Sequence, residues 1–266
     1  MKKYVIFIVS FSLMYACKSG EVHDYCQYVD PFIGTADNGH TFPGATAPFG
    51  FIQASPETGN DAWKYCSGYN YDDNSIIGFA QNHLNGTGCS DLGDILMLPF
   101  TEGDLSDGNY RGSFKKSDEK ASPGYYSVKL NNFDIDVELT ATQRTAFHRY
   151  TFNKNAPANL LLDMQNGVVW SAKSLETHVL NAEINMPDNK TLTGRQQVRN
   201  WVTRQYCYVI KFDRPYTVEA LNLSKENMYV QSVELNGSLY TGKSISHKDI
   251  MKGGRLVFTM TGEPEK

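Results

Sequence analysis

After residue 115 the sequence alternates apolar and polar positions, or gathers β-branched and aromatic residues into short runs, with the two-residue period of a pleated strand. Residues 125–130, 135–141, 146–152, 206–212, 229–235 and 256–260 read as strands on this ground. Asn236-Gly237, set between Val233-Glu234-Leu235 and Leu239-Tyr240, is the signature of a type I′ hairpin, and Gly253-Gly254 marks another turn before Leu256. Hairpins bring antiparallel sheet. Residues 160–164 suit a buried strand or a helical turn, which periodicity does not separate, and no long segment past the N-terminal run keeps a 3.6-residue period. The predicted fold is all-β, an antiparallel β-sandwich with few short helices. Before residue 110 the pattern changes. Glycine and proline dominate there and polar residues are packed between them, as in the long structured loops that commonly carry function.

Aromatic residues make up 12% of the 266, a bias that suits pleated surfaces and sugar-stacking platforms better than helical bundles. The formal charge is −4 and no Lys/Arg run exceeds two residues, so the phosphate-neutralising patch of a nucleic-acid partner is missing. Lys2 and Lys3 precede an apolar stretch over residues 4–16, too short to span a bilayer as a helix and suited to a secretory signal. Met14-Tyr15-Ala16-Cys17 then resembles a lipobox. Residues 1–16 are expected to be removed, Cys17 to be diacylated, and residues 17–24 to tether the chain to a membrane. A plain cleaved signal peptide is the alternative. Either way the chain is exported, and with lipid at Cys17 it is a bacterial lipoprotein of the periplasm or the outer-membrane surface. Four cysteines remain, Cys26, Cys66, Cys89 and Cys207, which an oxidising compartment allows to bridge in any of three pairings. Cys66, His83 and Cys89 lack zinc-finger or zinc-ribbon spacing, so buried thiols or a bridge are favoured over zinc.

Two loops concentrate the candidate chemistry. Residues 34–50 read GTADNGHTFPGATAPFG, in which prolines stiffen a backbone that would hold Asp37, Asn38, His40 and Thr41 in fixed positions. Such a loop can grip hydroxyls, or it can bond only to itself. Residues 78–94 read GFAQNHLNGTGCSDLGD and crowd His83, Asn85, Thr87, Asp91 and Asp94 together. These groups match the hard oxygen ligands of calcium, the polar contacts of a sugar ring, or ordinary turn residues. Trp63, near Tyr65, Tyr69 and Tyr71, offers a flat face for a pyranose or a piece of core. Arg144 and His148 lie four apart on a predicted strand, and so on one face, where they brace the sheet or meet a ligand. There is no GxSxG, HExxH or P-loop, and Asp91 and Asp94 are too close in sequence to be read alone as an acid and base flanking a glycosidic bond.

Five stretches together resemble the N-terminal β-sandwich domain of glycoside hydrolase family 92: YVDPFIGT at 28–35, GHTFPGATAPFG at 39–50, HLNGTGC at 83–89, ASPGYYSV at 121–128 and LTATQRTAFHRYTF at 139–152. The resemblance covers residues 25–213 and implies a super-sandwich-like fold and a relation to calcium-dependent, inverting, exo-acting α-mannosidases that degrade N-glycans. It implies that His40, Thr41, His83, Thr87 and Cys89, with Asp37 and Trp63, face substrate, and that none of them is the acid or base. Residues 214–266 resemble the family's extreme C-terminal β segment, which in full-length members follows a helical barrel. That barrel is similar among members in carrying the acid glutamate, the base aspartates and most calcium ligands, and it is missing between the two parts. The expectation is a truncated α-mannosidase homologue whose loops close a pocket but which lacks catalysis and does not retain Ca2+ alone. Its expected partners are α-mannoside glycans, a membrane through the anchor, and a second copy through the apolar surface a barrel would cover. A glycan-binding surface lipoprotein without hydrolysis and a decayed gene product are the rival readings.

Overall fold

The structure is a computed structural model that describes residues 23–60, 63–101, 110–169, 174, 178–213, 217–221, 229–241 and 255–261. The signal run, Cys17, Gly253-Gly254 and the junction at 214–216 lie outside them. In chain order the first strands are β1 (Ala45–Thr46), β2 (Gln53–Glu57), β3 (Ser75–Ile76), β4 (Gly78–Ala80), β5 (Leu96–Phe100) and β6 (Gly112–Ser113). Next come β7 (Lys120–Ser122), β8 (Tyr125–Leu130), β9 (Ile135–Ala141), β10 (Ala146–Phe152), β11 (Asn159–Asp163) and β12 (Val179–Asp188). The last are β13 (Thr191–Arg199), β14 (Thr203–Lys211), β15 (Thr217–Leu221), β16 (Tyr229–Leu235), β17 (Ser238–Leu239) and β18 (Arg255–Thr261). Helix among the described residues is limited to short 3-10 turns such as Trp63–Tyr65 and Lys116–Asp118 and to α-helical Ser174, and no helix there is long and apolar enough to cross a membrane.

The alternation in residues 125–152 becomes a sheet of order β10-β9-β8-β7. Its register sets Tyr126 against Leu139, Val128 against Val137 and Leu130 against Ile135, so every buried side chain of β8 meets a buried one of β9. A one-residue slip of either strand would turn its three buried side chains to solvent, which fixes the pairing. A second sheet, β1-β2-β4-β5-β11, stacks on this one. Ala45, Ala54, Phe79 and Leu98 from it fill a common core with the β8 and β9 residues, and at ~25 cal/mol per Å² of apolar surface this layer is the main source of stability. Residues 160–164 resolve as strand β11, paired with β5. The rim of the core holds one buried carboxylate, Glu119, which accepts from the hydroxyls of Tyr69 and Tyr126 and lies 3.1 Å from Lys116 Nζ.

A third sheet, β12-β13-β14, continues the chain. β12 and β13 were not anticipated from the sequence, because β12 is exposed almost throughout and so shows no two-sided burial pattern. Residues 229–235 form β16, and Asn236 and Gly237 both take positive φ (53° and 80°) in the turn to β17, as a type I′ hairpin demands. The last four strands make a sheet of their own, β15-β18-β16-β17, in which β15 runs parallel to β18, a pairing that hairpin logic did not foresee. Arg144 lies in the bend between β9 and β10, not on a strand face with His148, so the expected facing pair does not form.

Candidate functional site

In the loop of residues 34–50, Asp37 and His40 take positive φ (48° and 52°) without being glycine. Short-range bonds hold that conformation: Thr41 Oγ1 donates to the Ile33 carbonyl at 3.0 Å, and the Thr41 carbonyl accepts from Ser67 Oγ at 3.0 Å. The His40 carbonyl accepts the Gly86 N–H at 2.7 Å, which ties this loop to the second one. The His40 ring meets Trp63 edge-on at 4.8 Å, and the Trp63 indole N–H donates to Asn38 Oδ1 at 2.5 Å. His40 is buried, yet its Nε2 has no hydrogen-bond partner among the described residues. Trp63 itself is 51% exposed. Its ring packs so closely on Gly88 that a Cβ there would come within 2.3 Å of it.

The sequence-predicted residues thus divide. His40 and Trp63 meet, with the half-buried Thr87 and Cys89 on either side of the Gly88 that packs against Trp63, while Thr41 bonds back to Ile33 and Asp37 of the same loop is exposed. His83 does not present its ring to this surface. Its Nδ1 donates to the Gln53 carbonyl at 2.7 Å, and its Nε2 lies 2.9 Å from Glu57 Oε1, with both side chains fully buried. Glu57 is closed in by Gly68 (φ +78°) and Gly93 (φ +74°), where any Cβ would overlap the carboxyl. Burial pushes the Glu57 carboxyl above the ordinary carboxylate range, against the pull of His83.

Asp91 and Asp94 are likewise committed. Arg204 forks onto both oxygens of Asp91 at 2.7 Å and reaches Asp94 Oδ2 at 3.4 Å. Asp94 Oδ1 lies 2.9 Å from His178 Nε2, and the Asp94 N–H donates to Asn82 Oδ1 at 2.8 Å. His178 Nδ1 donates to the Arg199 carbonyl at 3.0 Å. Both buried acids of this loop therefore have a basic partner drawn from the β12-β14 region. These partners, His178 and Arg204, escaped sequence reasoning because they lie 84 and 113 residues from their acids. Among the described residues no group of three or more His, Cys, Asp or Glu could hold a metal ion, and the carboxylates read as calcium ligands are bonded to His178 and Arg204 instead. The residues present do not fit calcium at this loop.

His148 completes the brace. It bonds through Nε2 to Gln81 Oε1 at 3.0 Å and through Nδ1 to the Tyr150 hydroxyl at 2.8 Å, and burial pulls its pKa down to about 4.

Comparison with known proteins adds four findings. The N-terminal domain of glycosyl hydrolase family 92 matches residues 28–254. An uncharacterized secreted glycosidase of Arthroderma benhamiae is 32% identical over 181 residues, covering 61% of this chain and 23% of its own length. A family 92 alpha-mannosidase from Bacteroides thetaiotaomicron, solved with mannoimidazole, superposes with a TM-score of 0.63 at 28% identity over 83% of this chain and 28% of its own. A family 92 inverting mannosidase from the same species shares the fold at 22% identity, with a TM-score of 0.61 over 85% of this chain and 27% of its own. The chain spans about a quarter of the length of these relatives.

Proposed function

Because this chain belongs to glycosyl hydrolase family 92, we propose that it supplies the sugar-gripping side of an α-mannoside site and not the acids that break the bond. The observation that carries the reading is the half-exposed indole of Trp63, anchored by Asn38 and set against the buried, unpartnered Nε2 of His40. A pyranose offers an apolar C–H face to an indole and hydroxyls to the groups beside it. Asp37, Thr41, Thr87 and Cys89 complete the lining, while His83 stiffens the loop from behind.

Inverting hydrolysis needs a carboxylic acid and a carboxylate about 6.5–9.5 Å apart with water between them. Glu57, Asp91 and Asp94 are each engaged by a base, which favours binding without turnover. On this reading the chain by itself is a mannosidase homologue that grips an α-mannoside without hydrolysing it. Calorimetry with α-mannobiose tests this: saturable heat in wild type, lost in Trp63→Ala, with no mannose released in calcium, supports it. Release of mannose at ordinary enzymatic rates overturns the inactivity, and absence of heat at millimolar sugar overturns the binding.

Export and a lipid on Cys17 belong to the same proposal, supported by the lipobox-like Met14-Tyr15-Ala16-Cys17. Exposed Phe49, Phe51, Trp201 and Val202 support self-association. A monodisperse monomer in light scattering would contradict that.

A further inference from the structure

Cys66 follows the Trp63–Tyr65 turn and is buried, with Sγ 3.1 Å from the Trp63 carbonyl and 3.8 Å from Ser90 Oγ. Both residues flanking Cys89 touch that same turn: Ser90 meets the Cys66 sulfur, and Gly88 lies directly under the Trp63 ring. Cys89 lies between these two contacts, half-buried. Burial pushes the Cys66 thiol up, the Ser90 hydroxyl partly offsets this, and the like charge of a Cys89 thiolate pushes it further. Cys26 and Cys207 are exposed and belong to other elements, the 3-10 turn at Tyr25–Tyr28 and β14.

We propose that Cys66 and Cys89 form a disulfide that clasps the Trp63 turn to the glycine-rich loop. Closure runs by thiol–disulfide exchange with an oxidant that carries a disulfide, either a small disulfide or a protein dithiol oxidase. The accessible Cys89 loses its proton and attacks the oxidant, forming a mixed disulfide and releasing one oxidant thiol. Cys66 then loses its proton and attacks Cys89 Sγ, expelling the second oxidant thiol. Two protein thiols become one disulfide while the oxidant's disulfide becomes two thiols, so electrons and protons balance. The second step is the slow one, because the Cys66 thiolate is scarce at neutral pH, and it accelerates as pH rises. The bridge stands whether or not the adjoining surface takes a sugar.

The test incubates the purified chain with oxidised glutathione, alkylates the remaining thiols, digests, and maps peptides by mass spectrometry. The expected product is one cross-linked pair joining Cys66 to Cys89, lighter by two hydrogens, with the exposed Cys26 and Cys207 carrying glutathione or the alkylating group and linked to neither. Cys66→Ser should halt at glutathione on Cys89, and Cys89→Ser should leave Cys66 unmodified. An oxidised sample should melt about 5 °C above the reduced one. Full alkylation of both Cys66 and Cys89 after incubation, or a link from either one to Cys26 or Cys207, overturns the proposal. The wild-type map decides even if a variant fails to fold.

Discussion

The two glycine-rich loops look alike in sequence and differ in what they do with their polar groups. The segment of residues 78–94 turns its acids and His83 inward, onto Arg204, His178 and Glu57, and its Gln81 onto His148. The segment of residues 34–50 satisfies its backbone locally but leaves Asp37 in solvent and His40 Nε2 without a partner, beside an exposed indole. One loop is a brace and the other a surface prepared for something else. Composition cannot separate the two, since a carboxylate that binds an arginine and one that binds a ligand are the same residue. Distant partners decide.

The sharpest way to break this comparison is at the brace. His178→Ala strips Asp94 of its closest partner in a fully buried setting, where breaking a pair costs about 3–5 kcal/mol, and urea midpoints should fall accordingly. A loss under about 1 kcal/mol would show that Asp94 is solvated and not braced. Gly93→Ala should come next, near 2–3 kcal/mol, since its Cβ would sit 2.6 Å from Val168 and its φ is +74°. Acid supplies a third handle. The unfolded chain protonates His148 near 6.5 while the folded chain refuses the proton down to about 4, so stability is full above 6.5 and falls as pH drops through that window. Between pH 6.5 and 4.5 the loss should be about 2 kcal/mol, and His148→Gln should flatten it. Trp63→Ala sits at the small end. With the ring half in solvent its stability should change by less than about 1 kcal/mol, in contrast to its effect on sugar binding.

Much of the sandwich was legible because burial imprints a period of two: β8, β9 and β10 fall on the residues the alternation marked, and the Asn236-Gly237 turn behaves as its chemistry requires. β12 was not legible, since a strand exposed on both faces carries no such imprint. The same physics explains the site. Trp63, read from the sequence beside Tyr65, Tyr69 and Tyr71, is drawn by the fold onto Asn38 and His40 of the other loop. His83 turns its ring onto Glu57, and nothing in its sequence neighbourhood announces that partnership, which is made by the fold.

The central claim, that the Trp63 side of the molecule receives a sugar while the neighbouring loop is sealed, is tested most directly by following indole N–H resonances during titration with α-mannobiose. The account predicts a saturable shift of the Trp63 signal, identified by its loss in Trp63→Phe, while those of Trp170 and Trp201 stay still. A Trp63 signal unmoved at tens of millimolar sugar, or a shift confined to Trp170 or Trp201, would contradict it.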